Sequence, residues 1–197
     1  MAVNLVKGQN VKIDLNELQV VLGWKSDSTD PIDLDLSFFL LSDNEKCPND
    51  DHFVFYGSNL KENDRPYSPC KGVIGSVDDL GDDGEEADGS GEEEADIYLK
   101  RLSKNISEVI IVASIYNEEG ERKQNFGQAR NSYIKIINSE NKQELAIYEL
   151  DEDFSIETAV EFGRIYRKSG NWKFQAIGKG YREGLDFFVK KYGLETI

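Results

Sequence analysis

The sequence predicts an all-β fold: a two-sheet β-sandwich with a short C-terminal helix. Three observations predict it. Short β-prone runs recur along the chain with turn residues between them. Only one segment carries helical periodicity. Hydrophobic residues make up 39% of the chain, with 10 Phe, 9 Tyr and 2 Trp to fill a core. The 197 residues read as one domain, 1–197, with an acidic loop at about 75–94, because no break in composition divides them.

The elements follow in order. Ala2–Val6 and Val11–Leu15 are β-prone, separated by a turn at Lys7-Gly8-Gln9-Asn10, and Leu18–Trp24 is a third such run. Lys25–Pro31 is polar, ends in Asp-Pro and reads as a loop. Asp33–Leu41 begins with alternation and becomes wholly apolar. Phe53–Tyr56 is a short strand, and Gly57–Lys71 is a turn-rich connection holding Pro66 and Pro69. Ala95, Ile97 and Leu99 alternate on one face. Ile106–Tyr116, the most hydrophobic segment, reads as a central strand buried on both sides. Tyr133–Ile137 and Leu145–Leu150 are joined by a polar turn at Asn138–Lys142. Ile156–Phe162 reads as a helical turn or a strand, with strand preferred. Arg164–Lys168 and Trp172–Ile177 flank Ser169-Gly170-Asn171, which is hairpin chemistry. Gly178-Lys179-Gly180 reads as a turn before the helix. The helix follows from Tyr181, Leu185, Phe188, Val189 and Tyr192, which form one apolar stripe, with Gly193 as its stop.

Charge excludes several functions. There are 38 acids against 23 bases, a net charge of −15. Nucleic-acid binding needs clustered Lys and Arg, and anionic membrane surfaces make the same demand. No apolar run approaches the roughly 20 residues of a membrane span. The first residues show neither the basic segment nor the apolar run of a secretory signal, which predicts a cytoplasmic protein. Cys47 and Cys70 read as two reduced thiols. The single His52 leaves no site built on several imidazoles. No nucleophile elbow, phosphate-cradling loop or dinucleotide fingerprint is present.

The acids are concentrated. Between Asp78 and Asp96 stand 11 of them with no Lys or Arg, and the rest of the chain is left at only −4. Gly81, Gly84, Gly89 and Gly91 lie in the same stretch. It reads either as a solvated acidic loop or as a calcium site, since Ca²⁺ takes about 6–8 oxygen ligands in flexible geometry. It is not an EF-hand: counted from Asp79, position 3 is Gly81 and position 12 is Ser90. Asp33, Asp35 and Ser37 share one face of their strand, opposite Leu34, Leu36 and Phe38. They read as solvent-side residues or, together with the acidic loop, as oxygen donors to a hard cation. The amides of Gln124-Asn125-Phe126-Gly127-Gln128 read either as neutral oxygen ligands or, preferred, as fixing their own loop by hydrogen bonds, with Phe126 as a core plug.

Several segments, in this order, resemble the TerD family of bacterial tellurite-resistance and stress proteins. They are Val3-Asn4-Leu5-Val6-Lys7-Gly8-Gln9, Leu22-Gly23-Trp24, Asp33-Leu34-Asp35-Leu36-Ser37, Asp51-His52-Phe53-Val54-Phe55-Tyr56, Gln124–Gln128, Glu144-Leu145-Ala146 and Gly170-Asn171-Trp172-Lys173-Phe174. The resemblance implies a calcium-binding β-sandwich with a non-enzymatic stress-response role and protein partners in a stress-response complex. Related slime-mould proteins bind cyclic AMP, which adds a nucleotide to the implied ligands. Asp78-Asp79-Leu80 matches the first element of the family's acidic motif, and Asp88-Gly89 with Glu92-Glu93 is nearest to the second. The implied metal ligands are Asp33, Asp35, Asp78 and Asp79, with Asp88, Glu92 and Glu93 as partners. The competing reading is an acidic module that docks a basic protein without metal.

Overall fold

The computed structural model describes residues 2–26, 32–77, 90–115, 124–150 and 154–195. The first half of the chain contributes β1 (Val3–Leu5), β2 (Asn10–Ile13), β3 (Glu17–Lys25), β4 (Leu34–Ser42), β5 (Phe53–Val54), β6 (Lys61–Glu62), β7 (Arg65–Pro66), β8 (Val73–Ile74) and β9 (Ser90–Tyr98). The second half contributes β10 (Ile106–Ile115), β11 (Arg130–Asn138), β12 (Glu144–Glu149), β13 (Ala159–Lys168), β14 (Asn171–Tyr181) and the helix α1 (Leu185–Lys191).

Two six-stranded sheets result. One runs β1-β12-β11-β3-β9-β8 and the other β2-β14-β13-β10-β4-β5. The pairings are antiparallel except that of β1 with β12. Side chains alternate across each strand, so one set from each sheet points inward. Leu18, Val20 and Leu22 of β3, Ile134 and Ile136 of β11, and Ala95 and Ile97 of β9 meet Leu34, Leu36 and Phe38 of β4, Val109 and Ile111 of β10, and Phe162 of β13 in one core. Phe126 is part of that core, as its loop chemistry suggests. Its loop is held by Asn125, whose side chain accepts from Gly127 N–H while Gln128 accepts from Asn125 N–H.

The second sheet has a second core on its outer face. Phe39, Leu41, Ile110 and Val112 are covered there by Phe53 and Phe55, by Phe188 and Val189 of α1 and by Tyr192 just after it. Phe39, Phe53 and Phe55 stack with centroids 4.3 and 4.0 Å apart. Glu161 of β13 anchors the helix region from below, accepting from Tyr181 Oη at 3.0 Å with Lys191 Nζ 3.4 Å away. β10 is therefore buried on both faces, as its apolar run predicts.

Some boundaries differ from the sequence reading. β9 begins at Ser90, so the last part of the expected acidic loop is strand. The connection after Tyr56 folds a small hairpin, β6–β7. The stretch Gly178–Gly180 is not a turn but lies within β14, where the pairing with β13 slips between Glu161 and Gly163. Gly178 adopts φ +59 there, and the phenol oxygen of Tyr148 fills the place of its missing Cβ. Tyr181 thus ends a strand, and the helix starts only at Leu185. Two further expectations fall on residue 116 and on residues 27–31, outside the described residues.

Because Phe188 is fully buried between sheet and helix, Phe188→Ala is expected to cost about 3–5 kcal/mol of stability in urea unfolding. Val3→Ala, at an exposed position, is expected to change it by less than about 0.5 kcal/mol.

Candidate metal centre

The register gathers many strand ends at one end of the sandwich. Lys25 of β3 pairs with both Ser90 of β9 and Arg130 of β11, while Leu34 of β4 pairs with Ile115 of β10. β9 lies next to the edge of the first sheet, and β4 next to the edge of the second. The two strands touch at this corner.

On β4, Leu34, Leu36 and Phe38 face the core as the alternation requires. Asp35 and Ser37 lie on the other face, yet they are not solvent-side residues: their exposures are 5% and 0%. Ser37 Oγ has no hydrogen-bond partner among the described residues. Asp33, just before β4, is exposed. On β9 the inward set is Gly91, Glu93, Ala95 and Ile97. Glu93 therefore carries a carboxylate into the sandwich, with only 8% of it exposed.

Glu93 meets the edge of β4. β5 covers that edge only at Phe38 and Phe39. Beyond it, Leu36 N–H donates to Glu93 Oε2 at 2.5 Å. Asp35, Leu36, Tyr56, Pro66, Ser76 and Glu93 enclose a cavity of about 10 Å³. That volume is at the lower limit for one water-sized occupant. Burial disfavours the Glu93 anion and pushes its carboxyl up to about 8. Leu36 N–H and Ser76 pull it down, while the neighbouring charges of Asp35 and Asp33 push it further up.

Three of the sequence candidates, Asp33, Asp35 and Glu93, are thus brought within electrostatic reach of one another. Glu92 is not. Its side chain is on the outer face of the first sheet, as the alternation of β9 demands, and accepts from Tyr133 Oη at 3.0 Å. Tyr133 reaches it across β3 because the intervening residue is Gly23; a Cβ there would lie 2.3 Å from the phenol ring. Asp78, Asp79 and Asp88 lie outside the described residues. Among the described residues no three His, Cys, Asp or Glu side chains form a ready metal cluster. Sequence reasoning missed Ser76 and Tyr56 as cavity walls. Only the position of Ser76, two residues before the acidic run, pointed to it. Cys47 and Cys70 are both free thiols, and burial pushes Cys47 up to about 12.

No helix among the described residues is long and apolar enough to cross a membrane. Residues 1–192 match the TerD domain family. The chain is 38% identical to general stress protein 16U of Bacillus subtilis (strain 168) and 38% identical to tellurium resistance protein TerD of Serratia marcescens. Each alignment covers 100% of both chains. A crystal structure of a homologue of telluride resistance protein (TerD) from Streptomyces coelicolor A3(2) superposes with a TM-score of 0.64 at 19% identity. That match covers 88% of this chain and 95% of the other, and it bears on the fold alone.

The buried carboxyl makes a prediction with an uncommon sign. In the unfolded chain Glu93 loses its proton near 4.5; in the folded chain it keeps it to about 8. Between these values the folded state holds the extra proton, so stability falls as pH rises. In EDTA, Tm is expected to decline from about pH 5 to about pH 8 by scanning calorimetry. Glu93→Gln, which accepts from Leu36 N–H but cannot ionise, is expected to flatten that decline.

Proposed function

The chain belongs to the TerD family of tellurium resistance and stress-response proteins, and on that premise we propose that it is a non-enzymatic calcium-binding member. The carrying observation is the corner between β4 and β9. A buried carboxyl, Glu93, lines a cavity of atomic size there together with Asp35, and Asp33 is within electrostatic reach of it. Like charges so placed repel, and those of Asp35 and Asp33 raise the pKa of Glu93. A divalent cation relieves that repulsion and takes hard oxygen donors of this kind.

The proposed donor set is incomplete among the described residues, where no three such side chains form a ready cluster, and draws on the acidic segment for the rest. Glu93, Asp35 and Asp33 supply carboxylate oxygens and Ser76 a hydroxyl. Asp78 and Asp79 follow Ser76 by two and three residues in the sequence. With Asp88 they are the proposed donors from the acidic segment. Glu92, committed to Tyr133 on the other face, is outside the set. The ion supplies positive charge. The chain's own residues do the rest: Leu36 N–H orients Glu93, the paired backbones of β4 and β10 hold Asp35, and the apolar core beneath limits access of water. Calcium held in this way ties the two sheets together at their common corner.

A second reading is favoured by the size of the charge excess. The acids from Asp78 to Asp96 can dock a basic protein with no metal. Such a complex weakens steeply with salt and ignores chelators.

The test is calorimetric titration of EDTA-treated protein with CaCl₂, paired with thermal melts. At a calcium concentration a hundredfold above Kd, mass action stabilises by about 2.7 kcal/mol. That raises Tm by roughly 5–10 °C for a chain of this length. Asp35→Asn and Glu93→Gln are expected to weaken calcium by about tenfold or more while remaining folded. Absence of both heat and a melting shift in millimolar calcium overturns the proposal.

A further inference from the structure

A larger cavity, of about 520 Å³, lies at the Lys25–Ser90 end of the first sheet, and the calcium reading does not use it. Glu92, Tyr133 and Glu149 line it from the outer face, while Trp24, Gly91 and Leu150, which pack toward the core, line it at the strand ends. Its volume lies within the roughly 300–1,000 Å³ of small-molecule sites. The register explains its form. Glu92, Gly23, Tyr133 and Glu149 sit opposite one another on β9, β3, β11 and β12. Gly23 leaves a gap in that row, and Tyr133 lies over it with its hydroxyl on Glu92. The pairing of β11 with β3 slips between Arg130 and Tyr133, where Asn131 adopts φ +51. The cleft therefore opens beside a bulge, where strands commonly re-aim side chains.

Its charge favours a cation. Glu92 and Glu149 outnumber Lys25, the one base among its described lining residues. An aromatic ring stands between the two carboxylates, and ring faces attract ammonium groups. The protein already does this with its own chain: Lys135 Nζ lies 5.0 Å from the centre of the Tyr133 ring. The carboxylate-bearing strands are separated by three strand spacings of about 4.8 Å each, so Glu92 and Glu149 form two anchor points rather than one. Between them in that row lie Gly23 and the Tyr133 ring, an apolar surface that suits methylene groups.

We propose that this cleft binds a linear aliphatic diamine or triamine, one terminal ammonium on Glu92, the other on Glu149, and the carbon chain along the Tyr133 ring. The proposal stands apart from the calcium reading, since Glu149 and Tyr133 take no part in it. Titration calorimetry with spermidine and with putrescine, in EDTA and again in calcium, tests it. Heat is expected in both buffers, from a single site. Glu149→Gln is expected to weaken binding by about tenfold or more, the scale of losing one charge-assisted hydrogen bond. It is expected to leave calcium titration unchanged. Tyr133→Phe, which frees Glu92 from the phenol, should alter amine affinity and leave calcium unchanged as well. Three outcomes overturn the proposal. One is no heat with either amine. Another is heat that persists unchanged in Glu149→Gln, which would mean capture by the acids of the Asp78–Asp88 stretch. The third is selective binding of cyclic AMP in place of the amines, lost in the same variants.

Discussion

A strand offers each side chain to one face only, and this constraint decides which carboxylates of the chain can meet. On β9 it sends Glu93 inward with Ala95 and Ile97, and Glu92 and Glu94 outward. On β4 it sends Leu34 and Leu36 into the main core, and Asp35 and Ser37 to the face shared with Phe39. The two strands lie beside the two sheet edges that form a corner, so Glu93 arrives where β5 no longer covers β4. The backbone donor of Leu36 stands there. A shift of either strand by one residue would replace Glu93 or Leu36 at that contact and turn every apolar neighbour to the wrong side. The site is therefore fixed by the same register that fixes the core.

This placement has an energetic consequence. A carboxylate taken from water into a nearly closed corner loses hydration that the Leu36 N–H and the Ser76 hydroxyl do not restore. A second carboxylate beside it compounds the loss. The chain answers in part by holding the proton on Glu93 well above the ordinary range. A corner of this kind is a poor device for stability alone, because an apolar pair would fill it at less cost. It is a good device for coupling stability to something bound there, which is why the calcium reading rests on it rather than on the number of acids nearby.

The alternation that fixes the site was also the part most legible in the sequence. The strong strands and the inward set on β4 follow from periodicity and the hairpin around Gly170 from its turn residues, and the structure has them; of the expected helical stripe it has Leu185, Phe188 and Val189 in α1, with Tyr181 in β14 instead. What was hidden has a common cause. From Ser90 to Glu94 the sequence is Ser-Gly-Glu-Glu-Glu, whose local preference is for a loop, but pairing with Lys25 through Val21 makes it strand. Tertiary contact outweighed propensity there. Asp35 and Ser37 read equally as solvent-facing because no local pattern announces the second core that covers that face. Gly178 reads as turn chemistry, and a left-handed residue was indeed needed, but for a bulge within β14. Glu92 and Glu93 were grouped as neighbours in sequence, although a strand separates neighbours more surely than any other element.

The two sheets differ in how they treat their outer faces, and the difference bears on where ligands can act. The second sheet covers its outer face with α1 and an aromatic stack, and it spends its buried acid, Glu161, on holding that helix region. No helix covers the outer face of the first sheet among the described residues; long side chains pair across it instead, Lys135 with Glu144 and Arg65 with Asp96. These pairs are half-buried, and near-surface pairs contribute little to stability, about 0–1 kcal/mol each. At its end Gly23, though paired on both sides, leaves a gap in the row of side chains, and a cleft lined by Tyr133, Glu92 and Glu149 opens there. Filling that gap with a side chain would be simple for a sheet with no further use for its surface. Position 23 instead carries the residue that lets Tyr133 lie flat, and the carboxylates on either side of the ring keep their negative charge at the surface rather than in the core.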